Sequence, residues 1–186
     1  MIKDVLKFVL LVALIVIPIR TFIAQPFVVN GASMNPTFAH GDYLIVDQLS
    51  YRFNEPQRGE VVVFQYPNDP SQFFIKRIIG LPGETIELED KTITIINDNW
   101  PQGFELDEPY LDSEDSSSVE YRQSRVSLSD QEYYVLGDNR SHSSDSRSWG
   151  PLSSDKVIGR PLVRLFPITI PPPLFPGSFN NQYRFY

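Results

Sequence analysis

Beyond its N-terminal apolar run, no stretch of this chain keeps a helical period. After Ala24 comes a succession of short β-branched or aromatic runs, each bounded by Gly, Pro, Asn or Asp. Tyr43-Leu44-Ile45-Val46, Glu60 to Phe64 and Phe73 to Ile79 come first. After the Leu81-Pro82-Gly83 turn, Thr85 to Leu88 alternates toward Lys91 to Ile95, and Tyr133 to Leu136 and Val157 to Phe166 close the series. Runs of this length and punctuation predict strands, so the body is expected to be all-β. With 186 residues, 41% of them hydrophobic, the chain suits one domain, or a domain plus an insertion, with a real core.

The N-terminal run is the exception to the β pattern. Val5 to Ala24 is apolar apart from Lys7, Arg20, Thr21 and the backbone break at Pro18. A spanning helix wants about 20 residues, so a single N-terminal transmembrane helix is expected, with Lys7 and Arg20 reaching opposite interfaces. A cleaved signal peptide competes, with Lys3 and Lys7 ahead of Phe8 to Ile17; cleavage after Ala24 would want a small residue where Phe22 stands. Two lysines before the run against Arg20 after it favour a cytoplasmic N-terminus and an extracytoplasmic body. The chain then divides into an N-terminus and anchor over 1–24, a β domain over 25–166, and a Pro- and aromatic-rich tail over 167–186. Inside the β domain, about 97–130 is expected to be an insertion, its acidic stretch Asp112 to Ser118 being a mobile loop.

Composition removes several kinds of chemistry. A formal charge of −7 with no basic block argues against nucleic-acid binding. There is no cysteine for a disulfide, a zinc-thiolate site or a thiol nucleophile, and His40 and His142 are too few for a histidine-rich metal site. No metal or cofactor is expected.

Three polar patterns remain. In Asn30 to Phe38, Gly31 permits unusual backbone angles and Pro36 pushes Asn35 away from helical ones, so Ser33 is held on a bent segment just after the apolar run. The same residues also read as an ordinary turn whose serine bonds its own backbone. In a strand, Lys76 shares a face with Phe74 and Ile78, opposite Phe73, Ile75, Arg77 and Ile79. A buried lysine can act as a base near neutral pH if its pKa falls about three units, worth about 4 kcal/mol; the alternative is an ammonium that snorkels to solvent. The third pattern is the dense polar run Gly137 to Gly150, which reads either as a solvated loop or, lying between Tyr133 to Leu136 and Trp149, as a packed segment. In the packed reading its Asp, Asn, Ser and Arg side chains satisfy one another or the backbone, with Asp145 and Arg147 placed for an ion pair.

Taken together and in this order, Gly31-Ala32-Ser33-Met34-Asn35-Pro36-Thr37, Lys76 to Glu84, and Gly137-Asp138-Asn139-Arg140 through Ser143-Ser144-Asp145-Ser146-Arg147 resemble bacterial type I signal peptidase. The likeness runs from the apolar segment to about Phe166. It implies that Ser33 is the nucleophile, Lys76 the general base, Ser143 the hydroxyl that hydrogen-bonds the lysine, and Asp145 with Arg147 the ion pair beneath the site. It also implies an antiparallel sheet fold with an apolar surface resting on a lipid bilayer. The substrates implied are exported preproteins cut after small residues of the Ala-x-Ala kind. The location implied is the plasma (inner) membrane, or a thylakoid membrane where the organism has one.

The chain departs from the family's pattern in two places. Gly31 stands where some members carry a hydroxyl residue of the oxyanion hole, so that side-chain role is not expected here. Ser141 and His142 replace the acidic and amide residues common elsewhere, and His142 is not expected to be catalytic. Three competing readings are a Ser-His-Asp hydrolase, a self-cleaving repressor-type Ser-Lys protease, and a non-enzymatic membrane-tethered β domain. The first would use His40, which lies in a turn, or His142. The second would want a DNA-binding domain where the apolar run stands. The third leaves the three coinciding polar patterns without a reason.

Overall fold

The computed structural model describes residues 2–18, 24–111, 120–166 and 168–169. The β-branched runs become strands: β1 (Ala24–Val28), β2 (Tyr43–Asp47), β3 (Val61–Tyr66), β4 (Asp69–Gly80), β5 (Thr85–Asp90) and β6 (Thr92–Asn97). They are followed by β7 (Trp100–Glu105), β8 (Tyr121–Ser127), β9 (Glu132–Leu136), β10 (Leu152–Ser153), β11 (Val157–Phe166) and β12 (Ile168–Thr169). Every pairing between them is antiparallel. The larger sheet runs β1-β2-β11-β3-β4-β9-β10, with β12 against β11, and the smaller one β7-β6-β5-β8.

The larger sheet curls on itself. β2, β11 and β3 separate β1 from β4 in the pairing order, yet the Phe27 and Phe73 rings meet edge-on with centroids 5.4 Å apart. That curl brings the end of β1 over the middle of β4. Period-two alternation along the strands then sorts the side chains. From β4 and β9, Ile78, Tyr133 and Val135 pack with Val62, Phe64 and Leu152 on one side. Ile79, Tyr134 and Leu136 turn the other way and meet Ile86, Leu88, Ile93 and Ile95 of the small sheet. A third cluster, Val29, Met34, Phe38, Leu44 and Val61, lies under the loop after β1.

Two expectations change. The small sheet starts at Thr85 rather than near 97, because the β5–β6 hairpin supplies its two central strands and β7 and β8 pair on either side of it. The acidic stretch Asp112 to Ser118 and the tail, apart from residues 168–169, lie outside the described residues. The expected membrane span is also not met in that form. Helix α1 covers Ile2–Pro18, 17 residues, and at 1.5 Å per residue that is about 25 Å against a hydrocarbon core of about 30 Å. Ala24, the expected end of the span, is already paired with Asp47 in the β1–β2 ladder. Among the described residues no helix is long and apolar enough to cross a membrane.

Candidate active site

The serine loop is pinned from below. Met34 and Phe38 are buried on either side of the turn, and Phe38 N–H donates to the Met34 carbonyl at 2.8 Å. Burying two side chains of this size is worth about 4 kcal/mol, enough to fix a short irregular segment. Gly31 has φ +104°, a conformation that disfavours any side chain, and its N–H donates to His40 Nδ1 at 3.2 Å. Ser33 is thereby presented at the end of β1, and its carbonyl oxygen accepts from Asn139 N–H at 3.1 Å.

Lys76 comes from the middle of β4, paired with Val62 of β3, and is only 3% exposed. Its Nζ donates to Ser33 Oγ at 2.7 Å and to the Ile75 carbonyl at 2.9 Å, and it lies 5.3 Å from the centre of the Phe74 ring. Burial pulls the lysine down from 10.5 to about 8, against the carboxylates of Asp145 and Asp138, which act in the opposite sense. The lysine thus holds a hydroxyl and a carbonyl as hydrogen-bond partners, and neither of them is an anion that would fix its charge.

The third pattern begins where β9 ends. A Cβ at Gly137 would fall on Ser143 Oγ and on the Ser33 carbonyl oxygen, so the corner where these two segments meet requires a glycine. Asp145, wholly buried, caps the short helix α2 (Ser146–Trp149) and binds Arg147 through two 2.8 Å contacts, while Gly137 N–H donates to it at 3.1 Å. Burial pushes the Asp145 carboxyl up. The Arg147 guanidinium, Ser143 and the Gly137 N–H together outweigh that and hold it below the usual carboxylate value. The expected Ser143–lysine bond is not formed: Ser143 Oγ is sealed from solvent without a partner of hydrogen-bond geometry, near enough to Asp145 only to favour its charged form.

These elements line a cleft of about 450 Å³. One wall is Phe27 to Ser33, the other Gln72 to Lys76, and Leu44, Val63, His142 and Ser144 complete it. His142 is exposed there, its Nδ1 2.8 Å from Ser141 Oγ.

The strand alternation leaves one residue without a role. Arg77, on the face opposite Lys76, is wholly buried and makes a two-point contact with Asp138, Nε to Oδ1 at 2.8 Å and Nη2 to Oδ2 at 2.6 Å. Its Nη1 donates to the Gly59 carbonyl at 2.8 Å, and the Tyr110 ring stacks on it at 3.9 Å. The signal is present in the sequence, since an arginine between apolar neighbours demands a carboxylate. The partner's position, 61 residues away, is not.

Residues 2–166 match the family described as Signal peptidase, peptidase S26. The chain is 38% identical over 161 residues to a probable signal peptidase I-2 of Synechocystis sp., covering 83% of this chain and 69% of that one. To a probable signal peptidase I-1 of the same organism it is 34% identical over 173 residues, covering 89% and 83%. To a signal peptidase I of Leptolyngbya laminosa it is 38% identical over 158 residues, covering 81% and 72%. Matched from its N-terminal helix to the end of β11, the chain belongs to the signal peptidase family, peptidase S26.

Proposed function

We propose that this signal peptidase works through Ser33 as nucleophile and Lys76 as general base. The 2.7 Å contact between Nζ and Oγ, in a setting that lowers the lysine to about 8, carries the reading. At pH 7 about a tenth of such a lysine is neutral, which suffices for a base whose pKa lies near the working pH. The neutral amine takes the Oγ proton as Oγ attacks the scissile carbonyl carbon of the signal peptide. The Ser33 N–H stabilises the resulting oxyanion, an effect worth about 3 kcal/mol for one donor. The lysine ammonium then gives its proton to the departing amine, and the C–N bond breaks to leave an acyl-enzyme on Ser33. A water, deprotonated by the same amine, cleaves the ester and restores Oγ–H.

Asp145 and Arg147 support the site by holding the Gly137 corner against Ser33, and Ser143 walls that corner. The substrate fits as an extended chain laid between β4 and the segment after β1, with small side chains before the cut facing Val29, Leu44 and Val63. We place the protein on a membrane, N-terminus cytoplasmic, with α1 contributing to the anchor. Leu6, Leu10 and Leu14 are 68–72% exposed along α1, an apolar surface suited to lipid.

Processing of a preprotein with an Ala-x-Ala site by the purified full chain in detergent tests the reading. Ser33→Ala and Lys76→Met, checked for folding by circular dichroism, should each lose about 10³-fold or more in rate. The wild-type rate should rise with pH and level off above about 8. A folded Lys76→Met that still cuts at a comparable rate removes the lysine from the mechanism.

A further inference from the structure

Among the described residues lining the cleft, none comes from the small sheet or its connections. Yet that unit reaches the catalytic corner, most directly through Arg140. Arg140, 2% exposed, donates through Nη1 to Glu108 Oε2 at 2.6 Å and to Tyr121 OH at 2.5 Å, and through Nη2 to Glu108 Oε1. Glu108 lies in the segment after β7, which Leu106 N–H ties to the Ile93 carbonyl of β6 at 2.8 Å, and Tyr121 opens β8. The remaining arm of Arg140, Nε, donates to the Gly137 carbonyl at 3.1 Å, while the Arg140 carbonyl accepts from Arg147 Nη2 at 2.7 Å. Gly137 and Asn139 are the residues on which the Ser33 carbonyl rests.

We propose that Glu108 is a positioning residue: through Arg140 it holds the Gly137–Asn139 turn in place, and the turn holds the Ser33 carbonyl. The small sheet thus serves catalysis without touching substrate. The inference rests on the Ser33–Lys76 reading. A buried ion pair could instead serve stability alone, and the two roles differ in how rate follows folding. If the pair is only structural, removing both charges together restores rate and stability alike. If it positions the turn, stability returns but rate does not, because the Gly137 carbonyl has still lost the Arg140 Nε donor.

The test compares wild type, Glu108→Gln, Glu108→Asp and the pair Glu108→Leu/Arg140→Met, all as full chains in detergent. It reads kcat, KM, melting temperature and the pH midpoint of the rate. Misplacing a nucleophile by about 1 Å can cost about a hundredfold, so Glu108→Gln should lose ten- to a hundredfold in kcat with KM within about twofold. Glu108→Asp keeps the charge but draws it back by one methylene. It should fold, lose kcat in the same sense, and move the pH midpoint, because Asp138 and Asp145 flank the displaced turn and both act on Lys76. The double variant should melt close to wild type and stay slow. A folded Glu108→Asp with wild-type kcat and midpoint, or a double variant that recovers kcat, overturns the proposal. Ser33→Ala run alongside separates the two failures: if it cuts, or if wild type does not, the Ser33–Lys76 reading has failed rather than the clamp.

Discussion

Lys76 and Arg77 are neighbours on one strand, both buried, and have opposite surroundings. Lys76 faces the cleft and meets a hydroxyl, a carbonyl and a ring. Arg77 faces inward and meets a carboxylate at two points, a carbonyl and the Tyr110 ring. Burial alone therefore does not set the role of a basic side chain; its chemistry and its partners do. The guanidinium bonded to a carboxylate organises the fold, and the ammonium with no bonded carboxylate has its proton loosened. Strand alternation puts these two outcomes one residue apart.

The larger break of this comparison is on the Arg77 side. Arg77→Met leaves the Asp138 carboxylate buried at 1% side-chain exposure, with Thr37 as its remaining side-chain donor. Orphaning a buried charge in this way costs about 3–5 kcal/mol, which denaturant melts will register as a lowered midpoint. Arg77→Met/Asp138→Leu should recover most of the loss. If the single variant melts like wild type, the pair does not organise the fold.

Much of this contrast is legible in the sequence and part is not. Lys76 and Arg77 separate onto opposite faces by the pleat alone, and the runs that form β2 to β6, β9 and β11 announce themselves by β-branched residues between Gly and Pro. Local pattern cannot carry pairing at a distance. Nothing in Val157 to Phe166 says that it inserts between β2 and β3, and nothing in Asp138 says that it meets Arg77. Glu108 and Arg140 are hidden for the same reason. The small sheet begins earlier than the expected insertion because the β5–β6 hairpin looks like any other hairpin until β7 and β8 pair with it. In the candidate site, Ser33, Lys76, Asp145 and Arg147 come together, whereas Ser143 stands beside the Gly137 corner without the lysine bond, a difference of position that residue type does not encode.

The Lys76 side predicts a smaller effect of opposite sign. A lysine at about 8 when folded and 10.5 when unfolded destabilises the fold while both states are protonated. Between those values the unfolded state holds the extra proton, so the contribution to stability rises with pH, by about 3 kcal/mol at most across the window. Lys76→Met removes the buried ammonium but also two hydrogen bonds worth about 1 kcal/mol each. The variant should therefore be inactive yet about 1 kcal/mol more stable than wild type at pH 7. Its advantage should vanish within about a unit above pH 8 and reverse toward pH 10.5, where the variant lacks two hydrogen bonds and should be about 2 kcal/mol less stable than wild type. Melts of both proteins at pH 7, 8.5 and 10 check the sign, and a gap that does not change with pH would mean that Lys76 is not held below its ordinary value.

The smallest effect sharpens the comparison by touching one face and sparing the other. Thr37 Oγ1 donates to Asp138 Oδ2 and lies 3.3 Å from Arg77 Nη2, so Thr37→Val removes a hydroxyl that serves both members of the ion pair. Asp138 keeps its two-point contact with Arg77, and the loss should be about 2 kcal/mol, that of a hydroxyl bonded to charged groups rather than of an orphaned charge. Because the Asp138 charge remains, its pull on Lys76 remains, and the pH midpoint of the rate should stay where wild type has it. A Thr37→Val protein that melts normally but shifts that midpoint would show the two faces of β4 to be coupled through the hydroxyl, and the separation between Lys76 and Arg77 would then fail.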